Sequence, residues 1–290
     1  MLTTISHRVD STGGAVAVAH DWGGPTTAPV LLFAHATGLH AHVHTPVVEH
    51  LIDRFRCVGI DMRAHGHAKG ADDGDMIWTG MRDDLLAVID ALHLGGGVDL
   101  CAHGHSMGGS ALLQAELARP GLFRSMVLYE PILYTERRAM VVGQPWDNPM
   151  AAAALRRREV FESRQAAFDN YAKKPPYGDV DRAALEQYVE HGFVDLPDGT
   201  VRLACRAEDE ASTFSNSSTG VFDRLGEIQC PVTILAGEFT QRPVHYDPNQ
   251  AAAAKMPKGR FIESRDRTHF GPMERADEYA ETIAAILTNS

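Results

Sequence analysis

The chain has 290 residues, 44% of them hydrophobic, and a formal net charge of −11. That length buries a sizeable core, either as one large α/β domain with an insertion or as two smaller ones. The acidic balance, with no basic run longer than Arg156-Arg157-Arg158, argues against a nucleic-acid partner, which needs a basic face.

Residues 5–10 and 15–19 alternate weakly around Ser11-Thr12-Gly13-Gly14 and read as a β-hairpin. The start of the chain holds no apolar run, so no signal peptide is expected, and no later stretch approaches the length of a membrane helix. After the break at Gly23-Gly24-Pro25, the continuous apolar run at residues 29–34 suits a central parallel strand. His35-Ala36-Thr37-Gly38 follows it. A loop at the C-terminal end of such a strand faces the crevice where α/β sheets bind ligands. The N–H groups of Ala36 and Thr37 are therefore candidate donors to a developing anion. His40-x-His42-x-His44 has strand-like spacing but lies in a loop and helix start. No Cys, Asp or Glu within it completes a tetrahedral set. It is read as metal-free, with His40 at the mouth of a pocket.

Residues 56–60 form the next strand, and Asp61-Met62-Arg63-Ala64-His65-Gly66-His67 a tight loop in which Asp61 and Arg63 read as a structural brace. Residues 78–92 space Met81, Leu85, Leu86, Val88, Ile89 and Leu92 as one face of a crossover helix. Cys57 and Cys101 fall inside apparent strands, and Cys205 and Cys230 are far from both. Cys57 and Cys101 read as small buried hydrophobes, and the wide spacing of all four points to a reducing, cytoplasmic setting.

An apolar run around Leu100-Cys101-Ala102 leads into His103-Gly104-His105-Ser106-Met107-Gly108-Gly109, and a helical pattern follows, closed by Pro120-Gly121. Gly104-x-Ser106-x-Gly108 between a strand and a helix is a nucleophile elbow, a tight turn that lifts a serine hydroxyl above the sheet edge. The flanking glycines let neighbouring backbone approach without a Cβ clash. The turn also aims the Met107 N–H, at a helix N-terminus, at any anion forming beside the serine. The buried strand at residues 125–129 ends in Glu130-Pro131, which puts a carboxylate one strand over.

From residue 132 to 222 the strand rhythm stops. Charged helical segments at residues 151–170 and 180–191 alternate with loops and carry Trp146, Phe161, Phe168, Tyr171, Tyr188, Phe193 and Phe214. This reads as a helical cap inserted between core segments 1–131 and 223–290, with His105 and Trp146 joining His40 on the substrate pocket. Strands at residues 232–236 and 260–263, a helix at 248–256 and a last amphipathic helix at 276–287 complete the core. His269 stands in the loop before that helix, C-terminal to the serine, as the elbow architecture requires of its base.

The pattern resembles the α/β-hydrolase superfamily, in particular its capped, esterase-like members. The likeness rests on the His35 loop, Asp61-x-Arg63-Ala64-His65-Gly66, Gly104-His105-Ser106-Met107-Gly108-Gly109 and Thr268-His269-Phe270. It implies a mostly parallel sheet flanked by helices, Ser106 as nucleophile and His269 as base. The family's usual aspartate after the strand at residues 232–236 is absent, since Thr240 stands there. Some members place the acid after the preceding sheet strand, where Glu130 lies; Glu238, Asp247 and Asp266 remain alternatives. Ala36 and Ala64 replace the family's glycines.

The expectation is a serine hydrolase of a small apolar carboxylic ester or lactone, acting without metal or organic cofactor. Met107 with Thr37 or Ala36 forms its oxyanion hole. The rivals are a carbon–carbon bond hydrolase, a cofactor-free perhydrolase and a non-turnover ligand receptor. No membrane partner is expected, and a homodimer is left open.

Overall fold

Apolar runs in the sequence become the inner strands of one sheet. The computed structural model describes residues 2–95, 99–134, 145–217, 219–240 and 247–289. Its first strands are β1 (Ile5–Asp10), β2 (Val16–Gly23), β3 (Val30–Ala34), β4 (Arg56–Asp61), β5 (Leu100–His105) and β6 (Ser125–Tyr129). Then come the short β7 (Val160–Phe161), β8 (Phe193–Asp195) and β9 (Val201–Leu203), and last β10 (Val232–Gly237) and β11 (Gly259–Ser264). The core helices are α1 (Thr45–Glu49), α2 (Trp78–Ala91) and α3 (Met107–Ala118). Next are α4 (Pro149–Ala154), α5 (Arg164–Tyr171), α6 (Arg182–His191) and α7 (Ala207–Ser215). The chain returns to the core with α8 (Val221–Arg224), whose Val221 joins the core cluster of α3, and then with α9 (Pro248–Lys255) and α10 (Ala276–Thr288).

The eight-stranded sheet runs β1-β2-β4-β3-β5-β6-β10-β11. β1 and β2 form the antiparallel hairpin, β2 is antiparallel to β4, and every other neighbouring pair is parallel. β3 lies between β4 and β5, so the chain reverses its course across the sheet there. Such a switch point opens a crevice at the strands' C-terminal ends.

Period two divides the side chains between the two faces. Leu32, Ala102, Leu128 and Ile234 join one buried cluster with Leu85 of α2, Leu112 of α3 and Ala252 of α9. Leu31, Cys101, Val127 and Leu235 join the other with Val47 of α1 and Tyr279 and Ile283 of α10. Each such large side chain stabilises the fold by roughly 1.5–3 kcal/mol on burial. All four cysteines are buried and free, and burial pushes the Cys230 thiol up to about 12. Among the described residues, no helix is long and apolar enough to cross a membrane.

Residues 145–217, between β6 and β10, carry α4 to α7 and β7 to β9 and are termed the lid, since several of them wall the same cavity as Ser106 and His269. The continuous helix expected over residues 151–170 is two helices, α4 and α5, with β7 between them. Phe161 of β7 is drawn into the lid's own core, where β7, β9 and β8 make a three-stranded antiparallel sheet. The turn from β8 to β9 uses Pro197-Asp198-Gly199, closed by the Leu196 N–H on the Thr200 carbonyl at 2.9 Å. Leu185, Tyr188 and Val189 on one face of α6 pack with Leu39, Val43 and Met273 of the core. The lid is thereby seated on the core by apolar contact.

Candidate active site

His105 closes β5, and Ser106 makes the turn into α3 with φ 53° and ψ −111°. A non-glycine residue with such a φ is strained and persists only when its surroundings over-determine it. Here they do. The Ser106 N–H donates to the Tyr129 carbonyl at 2.9 Å, and the Ser106 carbonyl accepts from Ile132 and Ser110 N–H groups, both at 3.3 Å. A Cβ on Gly104 would lie 2.7 Å from the Gly109 backbone, and one on Gly108 would lie 2.3 Å from the Ala34 carbonyl oxygen. Glycine at these two positions lets α3 press against β5 and β3.

β6 pairs with β5 in register, His105 opposite Tyr129, so Ser106 and Glu130 leave adjacent strands side by side. Glu130, with φ 44°, is buried, and both its carboxylate oxygens are engaged. Oε1 accepts from the Gly237 N–H at the end of β10 at 2.8 Å, and Oε2 accepts from His269 Nδ1 at 2.5 Å. Glu238, by contrast, is exposed, and its Oε2 accepts from the Asp266 N–H at 3.1 Å. Asp247 caps α9, accepting from Asn249 at 2.8 Å. Of the four weighed carboxylates, Glu130 is the one in contact with His269.

The loop carrying His269 is held from beneath. Tyr129 Oη donates to the Thr268 carbonyl at 2.6 Å, and His105 Nε2 donates to the His269 carbonyl at 2.8 Å. Burial pushes the His105 imidazole well below its ordinary range, and the neighbouring His269 adds to that. It therefore serves as a neutral strut rather than a titrating group. The buried Arg267 guanidinium donates to the Gly271 carbonyl at 3.0 Å and also to the Glu274 carbonyl, closing the loop's far side. The His269 side chain is one-third exposed.

Ser106, His269, His105, Ala36 and Thr37 share the wall of one cavity of about 760 Å³. The loop after β3 is fixed by His35, whose Nδ1 donates to the Ala36 carbonyl at 2.8 Å while its Nε2 accepts from the Met62 N–H at 3.1 Å. Thr37 Oγ1 lies 3.4 Å from Met107 Sδ, so this loop and the first residue of α3 are neighbours. First-turn N–H groups of a helix have no partner within it, which leaves Met107 a donor facing the turn.

Two of the expected pocket residues lie elsewhere. His40 is buried under the lid, stacked on Tyr188 at 5.9 Å and 3°, and donates from Nε2 to the Tyr188 carbonyl at 3.2 Å. It supports α6 and does not line the cavity. Trp146 stands one layer out, donating to Ser217 Oγ at 3.1 Å and packing edge-on against Tyr134, both of which do line it. Asp61 and Arg63 brace the loop through separate partners. Arg63 pairs with Asp84 at 2.8 Å, and Asp61 accepts from His20, Ala41 and His67.

Arg157 was not singled out in the sequence. Its guanidinium enters the cavity wall, paired with Glu210 and donating to Tyr188 Oη at 2.7 Å and Tyr171 Oη at 3.2 Å. The interrupted pattern of Arg156-Arg157-Arg158 inside a presumed helix was the available signal.

A serine on a strained strand–helix turn and a carboxylate-bound histidine line one cavity at the switch point, the arrangement expected of a hydrolase. A family model described as the alpha/beta hydrolase family matches residues 31–282, and the chain belongs to that family. It is 25% identical over 237 residues to a 2-(acetamidomethylene)succinate hydrolase of Mesorhizobium japonicum, spanning 82% of this chain and 79% of that one. It is 22% identical over 268 residues to 3-oxoadipate enol-lactonase 1 of Acinetobacter baylyi, spanning 91% and 90%. The crystal structure of an E-2-(acetamidomethylene)succinate hydrolase superposes with a TM-score of 0.78 at 22% identity, over 99% of this chain and all of that one. An esterase from Mycobacterium tuberculosis superposes at 0.71 with 20% identity, over 99% and 92%. These structural likenesses establish the fold.

Proposed function

We propose that the protein hydrolyses a carboxylic ester or lactone through an acyl-enzyme on Ser106. The observation that carries this reading is the Glu130–His269 hydrogen bond, placed on the same cavity as the strained Ser106 turn. His269 Nε2 takes the Ser106 proton as Oγ attacks the carbonyl carbon. Glu130 holds the opposite ring nitrogen as a donor and stabilises the imidazolium. The N–H groups of Met107 and of Thr37 or Ala36 receive the oxyanion, each worth on the order of 3 kcal/mol. The ester bond breaks as His269 returns the proton to the leaving alkoxide. A water deprotonated by the same ring then attacks the acyl carbon and releases the acid.

The cavity wall combines apolar surface from Trp78, Ile132, Phe214 and Phe270 with the exposed cations Arg156 and Lys174. Neither cation forms an ion pair among the described residues. The substrate that fits has an apolar body and an anionic group, and the relatives named for a succinate and for an oxoadipate enol-lactone support that reading. The free, buried cysteines support a reducing, cytoplasmic setting.

Hydrolysis of p-nitrophenyl butyrate and of mono-p-nitrophenyl succinate, followed by stopped flow, tests both parts. A burst of nitrophenol is expected and should vanish in Ser106→Ala. Lys174→Gln should raise KM for the succinate ester alone. Turnover surviving in Ser106→Ala would remove the serine from the reaction, and tight binding without turnover would make the protein a receptor.

A further inference from the structure

A second cavity, of about 1020 Å³, shares no lining residue with the first. Three imidazoles meet at it from separate parts of the core: His20 of β2, His42 of the turn that precedes α1, and His67 of the loop after β4. Each offers a ring nitrogen such that the three nitrogens lie within 4.8 Å of one another. We propose that His20, His42 and His67 bind a transition-metal dication of the zinc class.

The donor chemistry is the first argument. Neutral imidazole suits zinc, nickel and copper, and three histidines with one open position are a recurrent zinc set. A tetrahedral ion about 2.0–2.1 Å from each nitrogen needs them about 3.4 Å apart, so the site must contract by little more than 1 Å. His67 has the freedom to supply that movement, because its side chain is about half exposed.

The surroundings are the second argument. Metal-binding histidines are oriented by neighbouring carboxylates, and here one wholly buried carboxylate, Asp61, lies against two of them. Asp61 Oδ2 accepts from His20 Nε2 at 2.9 Å and lies 3.4 Å from His67 Nδ1. It is itself held by the His67 N–H at 2.9 Å, while Oδ1 accepts from the Ala41 N–H at 2.7 Å. With Nε2 donating to Asp61, His20 Nδ1 keeps its lone pair and accepts from Ser6 Oγ at 2.9 Å, on the cavity wall. The His42 ring makes no hydrogen bond among the described residues and stacks on His191 of α6 at 3.7 Å. The ion would therefore sit where the core meets the lid helix.

This grouping divides the alternating histidine run. His40 faces Tyr188, and His44 is buried between Phe33 and His103. His42 alone joins ligands distant in the chain.

The test uses the full chain, freed of metal by a chelator and titrated with CoCl2 and then ZnCl2. One cobalt per chain is expected, with visible absorption unlike that of the aqueous ion, displaced by zinc. His67→Ala removes an exposed ligand without disturbing the core, and should weaken zinc binding by roughly tenfold or more. Its rate of ester hydrolysis in chelator should not change. His93→Gln, at an exposed histidine remote in sequence from the cluster, should bind as the parent does. A cobalt spectrum matching the aqueous ion, or His67→Ala binding zinc as tightly as the parent, would overturn the assignment.

Discussion

Glu130 satisfies two N–H donors that come from different strands and loops, one on each oxygen. Exchange for an isosteric amide removes the charge and offers the histidine a donor where it needs an acceptor. Glu130→Gln is therefore expected to lower kcat by on the order of 10³–10⁴, while Glu238→Gln, at an exposed turn, should leave it within a factor of about two. Steady-state rates on one ester decide between them, and the opposite ranking would transfer the role to Glu238. The contact between Glu130 and His269 was legible as one option among four carboxylates, since the resemblance allows an acid after that strand and Thr240 occupies the usual position. His40 was misplaced because a short run of alternating histidines does not say which ring turns toward the lid. Arg157 was hidden for a related reason: its partners, Glu210, Tyr171 and Tyr188, come from three different helices of the lid.

The elbow illustrates what an element demands of its residues. Gly108 lies in the first turn of α3, where alanine would gain about 1 kcal/mol in helix propensity. Its Cβ would, however, meet the Ala34 carbonyl oxygen at 2.3 Å, and that oxygen belongs to a central strand that cannot swing aside. Overpacking of this kind costs roughly 1–3 kcal/mol, so the clash wins. Gly108→Ala is expected to lower the urea midpoint and to slow turnover by moving α3 off β3; an unchanged midpoint would show that the helix shifts freely. The core strands were readable because they are continuous apolar runs, and α2 and α10 because their apolar faces repeat with helical spacing. The lid sheet was not, since strands of two or three residues are shorter than any period that could reveal them.

The molecule as a whole carries an acid sensitivity that its net charge does not suggest. His35 and His103 are wholly buried, and burial lowers their pKa values from 6.5 to about 3 and about 4. In the unfolded chain both titrate near the ordinary value, so below pH 6.5 the unfolded state binds more protons than the folded one. Stability present above that pH is then lost as pH falls toward the folded-state values, at about 1.4 kcal/mol per pH unit for each ring. The pair should remove about 3 kcal/mol by pH 5.5. Urea midpoints at pH 7.5 and 5.5 measure this, and equal midpoints would refute it. Composition shows fifteen histidines but not which of them the sheet encloses. That depends on which strand lies beside which, and only the assembled topology supplies it.

Ser106, Glu130 and His269 all stand outside residues 132–222, and that stretch departs from the end of β6 and rejoins just ahead of β10. A foreign segment grafted in place of residues 145–217, which leaves the Ile132 N–H on the Ser106 carbonyl, is expected to keep that trio in place. On the proposed reading, choice of substrate and bond breaking are then separately heritable. Swapped-lid chimeras should change which esters are taken while retaining the nitrophenol burst.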